Sequence, residues 1–369
     1  MLMWKRITRW LVLSVLTTGF VIGCELSANH RSIEPPTAST QQSRSDCRII
    51  EQTVSNLEIC GQPQKVVALG VHALDLLLSL GVQPAGYAPP SNLFKGDVFD
   101  DPAQQIPYLG DRITTQPINI GSHGEPSIER LTLLKPDLIV GEANRNDDDY
   151  SLLSQVAPTL LCQDRLVKDQ WQESLHNIAT AIGNAEKAAA EIQRYETLVA
   201  NARTDLAEVI AAYPKLLLLV FTRLETGIGV MSPNSALGAL LGEVGFQIMA
   251  TGHTSTAPIS IEALPGLNDA DSIIVLGYGT DEKDLTLERS SDRSPQESLN
   301  ERVDAHQIQP IKQDWQESEI AQSLKASQAN RVYFATAYKW IGSHGPIGAE
   351  LILEDLRRSF RGPSASSER

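Results

Sequence analysis

Cysteine, aromatic side chains and basic charge are all scarce in this sequence. Of 369 residues only four are cysteine and 5% aromatic, while 45 acids outnumber 31 bases for a formal charge of −14. The deficit of basic charge argues against nucleic acid, whose binders need a cationic face to displace counterions. No Cys-x-x-Cys or His-x-x-x-His pair occurs, so no zinc site is spelled out. There is no Gly-x-Ser-x-Gly elbow of a hydrolase, no P-loop, and no Gly-x-Gly-x-x-Gly following a strand. No enzyme class is signalled and no cofactor is expected. Beyond residue 23 no apolar run approaches the length of about 20 residues that spans a bilayer. What remains, 42% hydrophobic and 21% charged residues, fits an α/β protein long enough for two domains.

The N-terminus is the exception. Lys5, Arg6 and Arg9 precede the uncharged stretch Trp10 to Gly23, a basic head and short apolar segment that read as a secretory signal. The stretch ends in Val21-Ile22-Gly23-Cys24, which resembles the lipobox of bacterial lipoproteins. That resemblance implies cleavage before Cys24 and acylation of that cysteine at its new N-terminus. Glu25 to Asp46, rich in Ser, Thr, Gln and Pro without an aromatic residue, cannot bury enough apolar surface to order itself. It is expected to be a flexible tether.

Export makes disulfides possible. Cys47 and Cys60 bracket a β-branched segment around Ser55-Asn56 that suggests a hairpin, and the pair is expected to bond. Cys162 ends an apolar run and is expected to be a buried thiol.

From Lys65 onward apolar strands alternate with amphipathic helices. Strands are expected at Lys65–Leu69, Pro84–Ala88, Asp137–Val140 and Thr159–Cys162. Helices are expected at Ala73–Leu80, from Pro126 to Leu134, at Tyr150–Val156 and at Trp171–Ile182. Asn184 to Ala212 contains neither Gly nor Pro and reads as one helix of roughly 43 Å at about 1.5 Å per residue. A second series follows, with strands at Lys215–Phe221, Gly227–Met231, Asp271–Leu276 and Arg331–Phe334. Helices are placed near Ala236–Glu243, Ile261–Leu264, Trp315–Ala326 and Pro346–Ser359. Residues 280–310 show no periodicity and read as a long surface excursion. The halves echo each other: Ser127-Ile128-Glu129 and Ser260-Ile261-Glu262 each lead, after a short helix, into an Asp-led apolar strand.

Glu125-Pro126-Ser127-Ile128-Glu129 running into Leu134-Lys135-Pro136-Asp137-Leu138-Ile139 resembles the substrate-binding lipoproteins of ABC importers for iron–siderophore complexes and cobalamin. Ala157-Pro158-Thr159, Asn330-Arg331-Val332-Tyr333 and Gly345-Pro346 carry the same resemblance, which spans about Cys47 to Arg358. It implies a class III substrate-binding protein: two Rossmann-like α/β lobes joined by a single long α-helix, with a ligand cleft between them and little hinge motion. The expected divisions are a signal peptide at 1–23, lipidated cysteine and tether at 24–46, N-terminal lobe at 47–183, bridging helix at 184–213 and C-terminal lobe at 214–369. The implied function is capture of a ferric siderophore and its delivery to an ABC permease dimer with its ATPase. The protein would act as a monomer on the extracytoplasmic face of the membrane, in the periplasm, anchored only through its lipid. Haem or cobalamin as cargo, or a surface sensor without a transporter, are the alternatives.

In that family one surface glutamate on each lobe meets permease arginines, and the matching positions are Glu129 and Glu262. Ligands of open α/β sheets sit beyond the carboxyl ends of strands. The loops there hold His72, Tyr87, His123, Asn144, Arg145, Thr222, Arg223, Tyr278, Tyr338 and Trp340. Guanidinium groups fork onto anionic oxygens and aromatic rings cover an apolar framework. His123, Arg145, Arg223, Tyr278, Tyr338 and Trp340 are therefore the expected ligand contacts. Arg145 and Arg223 are the expected cations, one from each lobe. His123 stands where some ferric-hydroxamate binders carry arginine. Iron would be held through the siderophore, with no direct metal ligand from the protein, although His72, His123 and His344 keep haem or a bare metal open.

Overall fold

A computed structural model describes residues 46–90, 94–168, 170–252, 255–279 and 298–361. The expected signal segment, Cys24 and the tether before Asp46 lie outside them. Cys47–Ile50 and Leu57–Cys60 form an antiparallel hairpin that sets Cys47 opposite Cys60. Their sulfurs are bonded at 2.02 Å, and Cys162 is a buried free thiol.

Two sheets follow. The first runs in the order Ile118–Asn119, Gly86–Ala88, Val66–Leu69, Leu138–Glu142, Thr159–Cys162, and every pairing is parallel. Its three innermost strands are buried at every position, which is why they read as unbroken apolar runs. The second sheet orders Thr256–Ile259, Ile228–Met231, Lys215–Phe221, Ser272–Gly277 and Val332–Thr336, with Gln247–Ile248 beside Lys215–Phe221. Here Lys215–Phe221 pairs in parallel with Ser272–Gly277 and antiparallel with Ile228–Met231. The second lobe thus carries a mixed sheet rather than a purely Rossmann-like one.

Several elements depart from the sequence reading, among them the helix expected at Trp315–Ala326, which is broken between a helix ending at Glu317 and the short turns Glu319–Gln322 and Lys325–Gln328. The long helix is Ala185–Asp205, about 32 Å. A turn at Leu206 separates it from Ala207–Ala212, because Leu206 is drawn fully into the core at φ −105°. The helix expected from Pro126 begins at Ile128, with Ser127 as its cap accepting from the Arg130 amide. Residues 299–317, read as irregular surface up to 310, are a helix opened by a Ser298–Glu301 capping box. Leu299, Val303, Gln307, Ile311 and Trp315 are its buried seam, one every four residues.

The core is shared between the lobes. One continuous apolar cluster joins Leu74 and Leu77 of helix Val71–Ser79, Val199 of the linking helix, Leu237 and Leu241, and Leu353 and Leu356 of the C-terminal helix Pro346–Arg361. The opposite face of each sheet has its own smaller core, around Leu131 and Ile139 in the first and Leu219 and Trp315 in the second. Asp75, fully buried, reaches from the first lobe to the start of the C-terminal helix. It accepts from Ser343 Oγ at 2.5 Å and from the amides of Gly345, Gly348 and Ile347 at 2.8, 3.0 and 3.1 Å. A Cβ at Gly345 would stand 2.7 Å from this carboxyl group, so only glycine fits there. Tyr108 makes a second junction, donating its hydroxyl to Asp304 at 2.6 Å.

Candidate functional site

The carboxyl ends of the two sheets face each other across a hollow of about 720 Å³, part of it open to solvent. The first lobe contributes Val71, Pro90, His123, Glu142, Arg145 and Arg165. The second contributes Tyr278 and Gly279 after one strand, Tyr338 and Ile341 after another, and Gln307 from the helix beneath. Gln307 ties its wall together, donating to the Gly279 carbonyl at 3.2 Å and accepting from the Tyr338 amide at 3.1 Å.

Glu142 ends the strand Leu138–Glu142 and is 1% exposed. Arg165, in the loop after Thr159–Cys162, pairs with it through Nη1 and donates Nε to the Ile341 carbonyl of the other lobe at 3.2 Å. Burial raises the Glu142 pKa against the pull of Arg165. Gly70 leaves the room for this arrangement. A Cβ there would meet Glu142 Oε1 at 2.7 Å and His123 Nδ1 at 3.0 Å.

His123 is fixed through its backbone, its amide donating to Pro89 and its carbonyl accepting from Asn146. Its ring Nδ1 has no partner among the described residues. Burial, then the fields of Arg165 and Arg145, lower its pKa to about 4, so the imidazole is neutral near pH 7. His72 and His344 are buried with ring nitrogens also unpartnered among the described residues. Burial followed by Arg165 lowers His344 to about 3, and burial likewise depresses His72. Tyr338 is 7% exposed, and burial raises its pKa.

Of the six expected contacts, His123, Arg145, Tyr278 and Tyr338 line this hollow. Arg145 is exposed and makes no ion pair among the described residues. Tyr278, 55% exposed, stands at the rim. The other two lie elsewhere. Arg223 pairs with Asp314 at 3.0 Å, held in a turn whose Leu224 amide also donates to that acid. Trp340 is 2% exposed and its indole donates to Asp355 at 3.2 Å, because residues 337–340 form a helical turn that directs the ring into the core. Glu129 and Glu262 are exposed, each the second residue of a short helix and outside the hollow. A hydrogen bond from Ser260 lowers the Glu262 pKa. Reading the sequence missed Glu142, Arg165 and Gln307. Glu142 and Arg165 follow apolar strands and obey the strand-end rule, whereas Gln307 lay in the segment read as irregular.

A periplasmic binding protein family matches residues 66–338. The Fe(3+)-citrate-binding protein YfmC of Bacillus subtilis (strain 168) is 23% identical over 354 residues, covering 94% of this chain and 95% of that one. The achromobactin-binding periplasmic protein of Dickeya dadantii (strain 3937) is 26% identical over 303 residues, with coverage of 80% and 86%. The crystal structure of Staphylococcus aureus SirA complexed with staphyloferrin B has a TM-score of 0.65 at 23% identity, over 85% of this chain and 98% of that one. That likeness shows a common fold. The family match begins at the first residue of the central strand Val66–Leu69 and ends at Tyr338 in the hollow, so it takes in both sheets and both walls, and the chain belongs to the periplasmic binding protein family.

Proposed function

We propose that this protein is the extracytoplasmic solute-binding component of an ABC importer, and that it captures a ferric siderophore and delivers it to the permease. The observation that carries this reading is the lining of the interlobe hollow. A guanidinium that makes no ion pair among the described residues, Arg145, stands with the exposed ring of Tyr278 around this hollow. A cation for anionic oxygens and a ring for an organic framework suit a chelated metal better than a bare ion. The names of the relatives, which bind ferric citrate and achromobactin, support the same cargo class. The protein's task is binding and delivery, with iron held through its chelator.

Delivery is assigned to Glu129 and Glu262, exposed on separate lobes and outside the hollow. Two like acids on two lobes suit a permease dimer that presents one basic site twice. Anchoring is assigned to Cys24, with residues 24–46 as the tether. Mass spectrometry of the mature chain checks it, since an uncut N-terminus or absent diacylglycerol refutes the anchor.

The cargo is tested by tryptophan-fluorescence titration of the purified protein with ferric siderophores, haem, cobalamin and free Fe³⁺. Saturable quenching by a ferric siderophore, weakened about 10- to 100-fold by Arg145→Ala, is the expected result. His123, neutral and with Nδ1 unpartnered among the described residues, is the feature that favours haem. Quenching by haem alone, lost in His123→Ala, would replace the siderophore reading.

A further inference from the structure

The first-lobe wall of the hollow carries two guanidiniums in unequal surroundings. Arg145 is exposed and unpaired among the described residues. Arg165 is 9% exposed, with Nη1 on Glu142 and Nε on the Ile341 carbonyl, which leaves Nη2 without a partner among the described residues. Glu142 is more than a buried counter-ion. It lines the hollow itself, and its Oε1 accepts nothing from a described residue. Its backbone amide is held by Asn146 Oδ1 at 3.0 Å, and Gly70, which has no Cβ, leaves its Oε1 room. The carboxylate is therefore built into the wall.

An anion entering this space meets one available guanidinium, a second already neutralised, and a fixed carboxylate beside it. In a partly desolvated site the carboxylate repels a negative cargo about as strongly as Arg165 attracts it. A pair that existed only to stabilise the lobe junction would be shut away from the hollow, with the guanidinium fully bonded. Here both members face the cargo space.

We infer that Glu142 is a specificity-determining residue, a resident carboxylate that occupies Arg165 and favours ferric complexes of low negative charge over highly anionic ones. This deepens the functional reading above and rests on it.

The test is a charge series. Affinities of the purified full-length protein are measured for ferric complexes ordered by net charge. An uncharged tris-hydroxamate and a trianionic tris-catecholate form the ends, since three singly or three doubly charged groups surround Fe³⁺, and ferric citrate completes the panel. Glu142→Gln should raise the ratio of anionic to uncharged affinity by about tenfold or more. Arg165→Gln should lower it by a similar factor. The double variant carries no net change in wall charge and should return the ratio toward wild type, which a loss of packing would not do. It also keeps the test open where one single variant melts early. An unchanged ratio in Glu142→Gln at wild-type melting temperature overturns the inference, as does an equal loss for every complex. Failure of the wild-type protein to bind any ferric complex overturns the functional reading itself, and that is seen before any variant is compared.

Discussion

Asp75→Asn tests the junction between the lobes with the smallest change of shape. In the native protein Oδ2 accepts from Ser343 Oγ and the Gly345 and Gly348 amides, and Oδ1 accepts from the Ile347 amide and Ser79 Oγ at 3.2 Å. An asparagine keeps most of these bonds by placing its oxygen at the Oδ2 position. Its amide nitrogen then faces the Ile347 N–H donor to donor, while the Ser79 hydroxyl can turn to accept. One buried amide loses its acceptor, at about 1–3 kcal/mol. The surviving bonds lose the strength that an ionised acceptor gives at a helix start. The sum is about 2–4 kcal/mol. Asp75→Ala strips all five partners and opens a cavity, so it should cost more. Urea unfolding of the purified proteins measures both losses. Amide hydrogen exchange locates them, since protection should fall at Ile347 first in the asparagine variant and across Gly345–Gly348 in the alanine variant. Asp75→Asn within 1 kcal/mol of wild type, with exchange unchanged, would show that this carboxyl does not hold the lobes together.

Three further outcomes are expected. Reducing the Cys47–Cys60 bond, which closes a short loop of sequence separation 13, should lower stability by roughly 3 kcal/mol in the chain-entropy account. Non-reducing peptide mapping should recover the linked pair, and alkylation of Cys47 without reductant would exclude it. Acid should destabilise the fold through its buried histidines. Below about pH 6.5 the unfolded chain binds protons that the native state refuses until about pH 4 at His123 and about pH 3 at His344. Each of these histidines removes up to about 1.4 kcal/mol per pH unit across that window. Glu142, whose folded pKa is raised, protonates first in the native state and offsets part of this. His344→Gln should flatten the slope measured by urea unfolding between pH 6 and pH 4, and an unaltered slope would refute the assignment. Finally, Glu129→Lys with Glu262→Lys should abolish cellular uptake while the purified protein keeps its ligand affinity. Lost affinity would move these acids into the binding site, and normal uptake would end their docking role.

Much of the scaffold was legible because it follows from local patterns. Thr159–Cys162 and Lys215–Phe221 are strands over the ranges expected, since a short apolar run between polar boundaries has few other ways to be buried. The helix Leu299–Glu317 was hidden by its own chemistry. Gln307 interrupts the apolar seam, and among the described residues its amide is satisfied by Gly279 and Tyr338, contacts that no periodicity count contains. The site was half legible for the same reason. Arg145 and Tyr278 stand where the strand-end rule puts them. Arg223 obeys that rule equally, yet Asp314, far along the chain, claims it. Trp340 also follows a strand, but the helical turn that carries it turns its ring into the core, where the indole meets Asp355. Position along a strand tells which residues arrive at the cleft. Which of them remain unpaired on arrival is a tertiary fact.

The cluster that runs from helix Val71–Ser79 to the C-terminal helix has a consequence for how the molecule is made. Asp75 and Ser343 are 268 positions apart, and Leu353 and Leu356 belong to the same core as Leu74 and Leu77. Contacts of such separation raise contact order and delay the gain that offsets loop closure. At about 5–20 residues per second, Asp75 waits through the synthesis of nearly the whole chain before the helix it caps exists. Until then the first lobe has its sheet but an open flank, with a carboxyl group and several leucines facing water. The final turns of the polypeptide therefore act as a keystone for its beginning, and a nascent chain stalled before Pro346 is left without a finished lobe at either end.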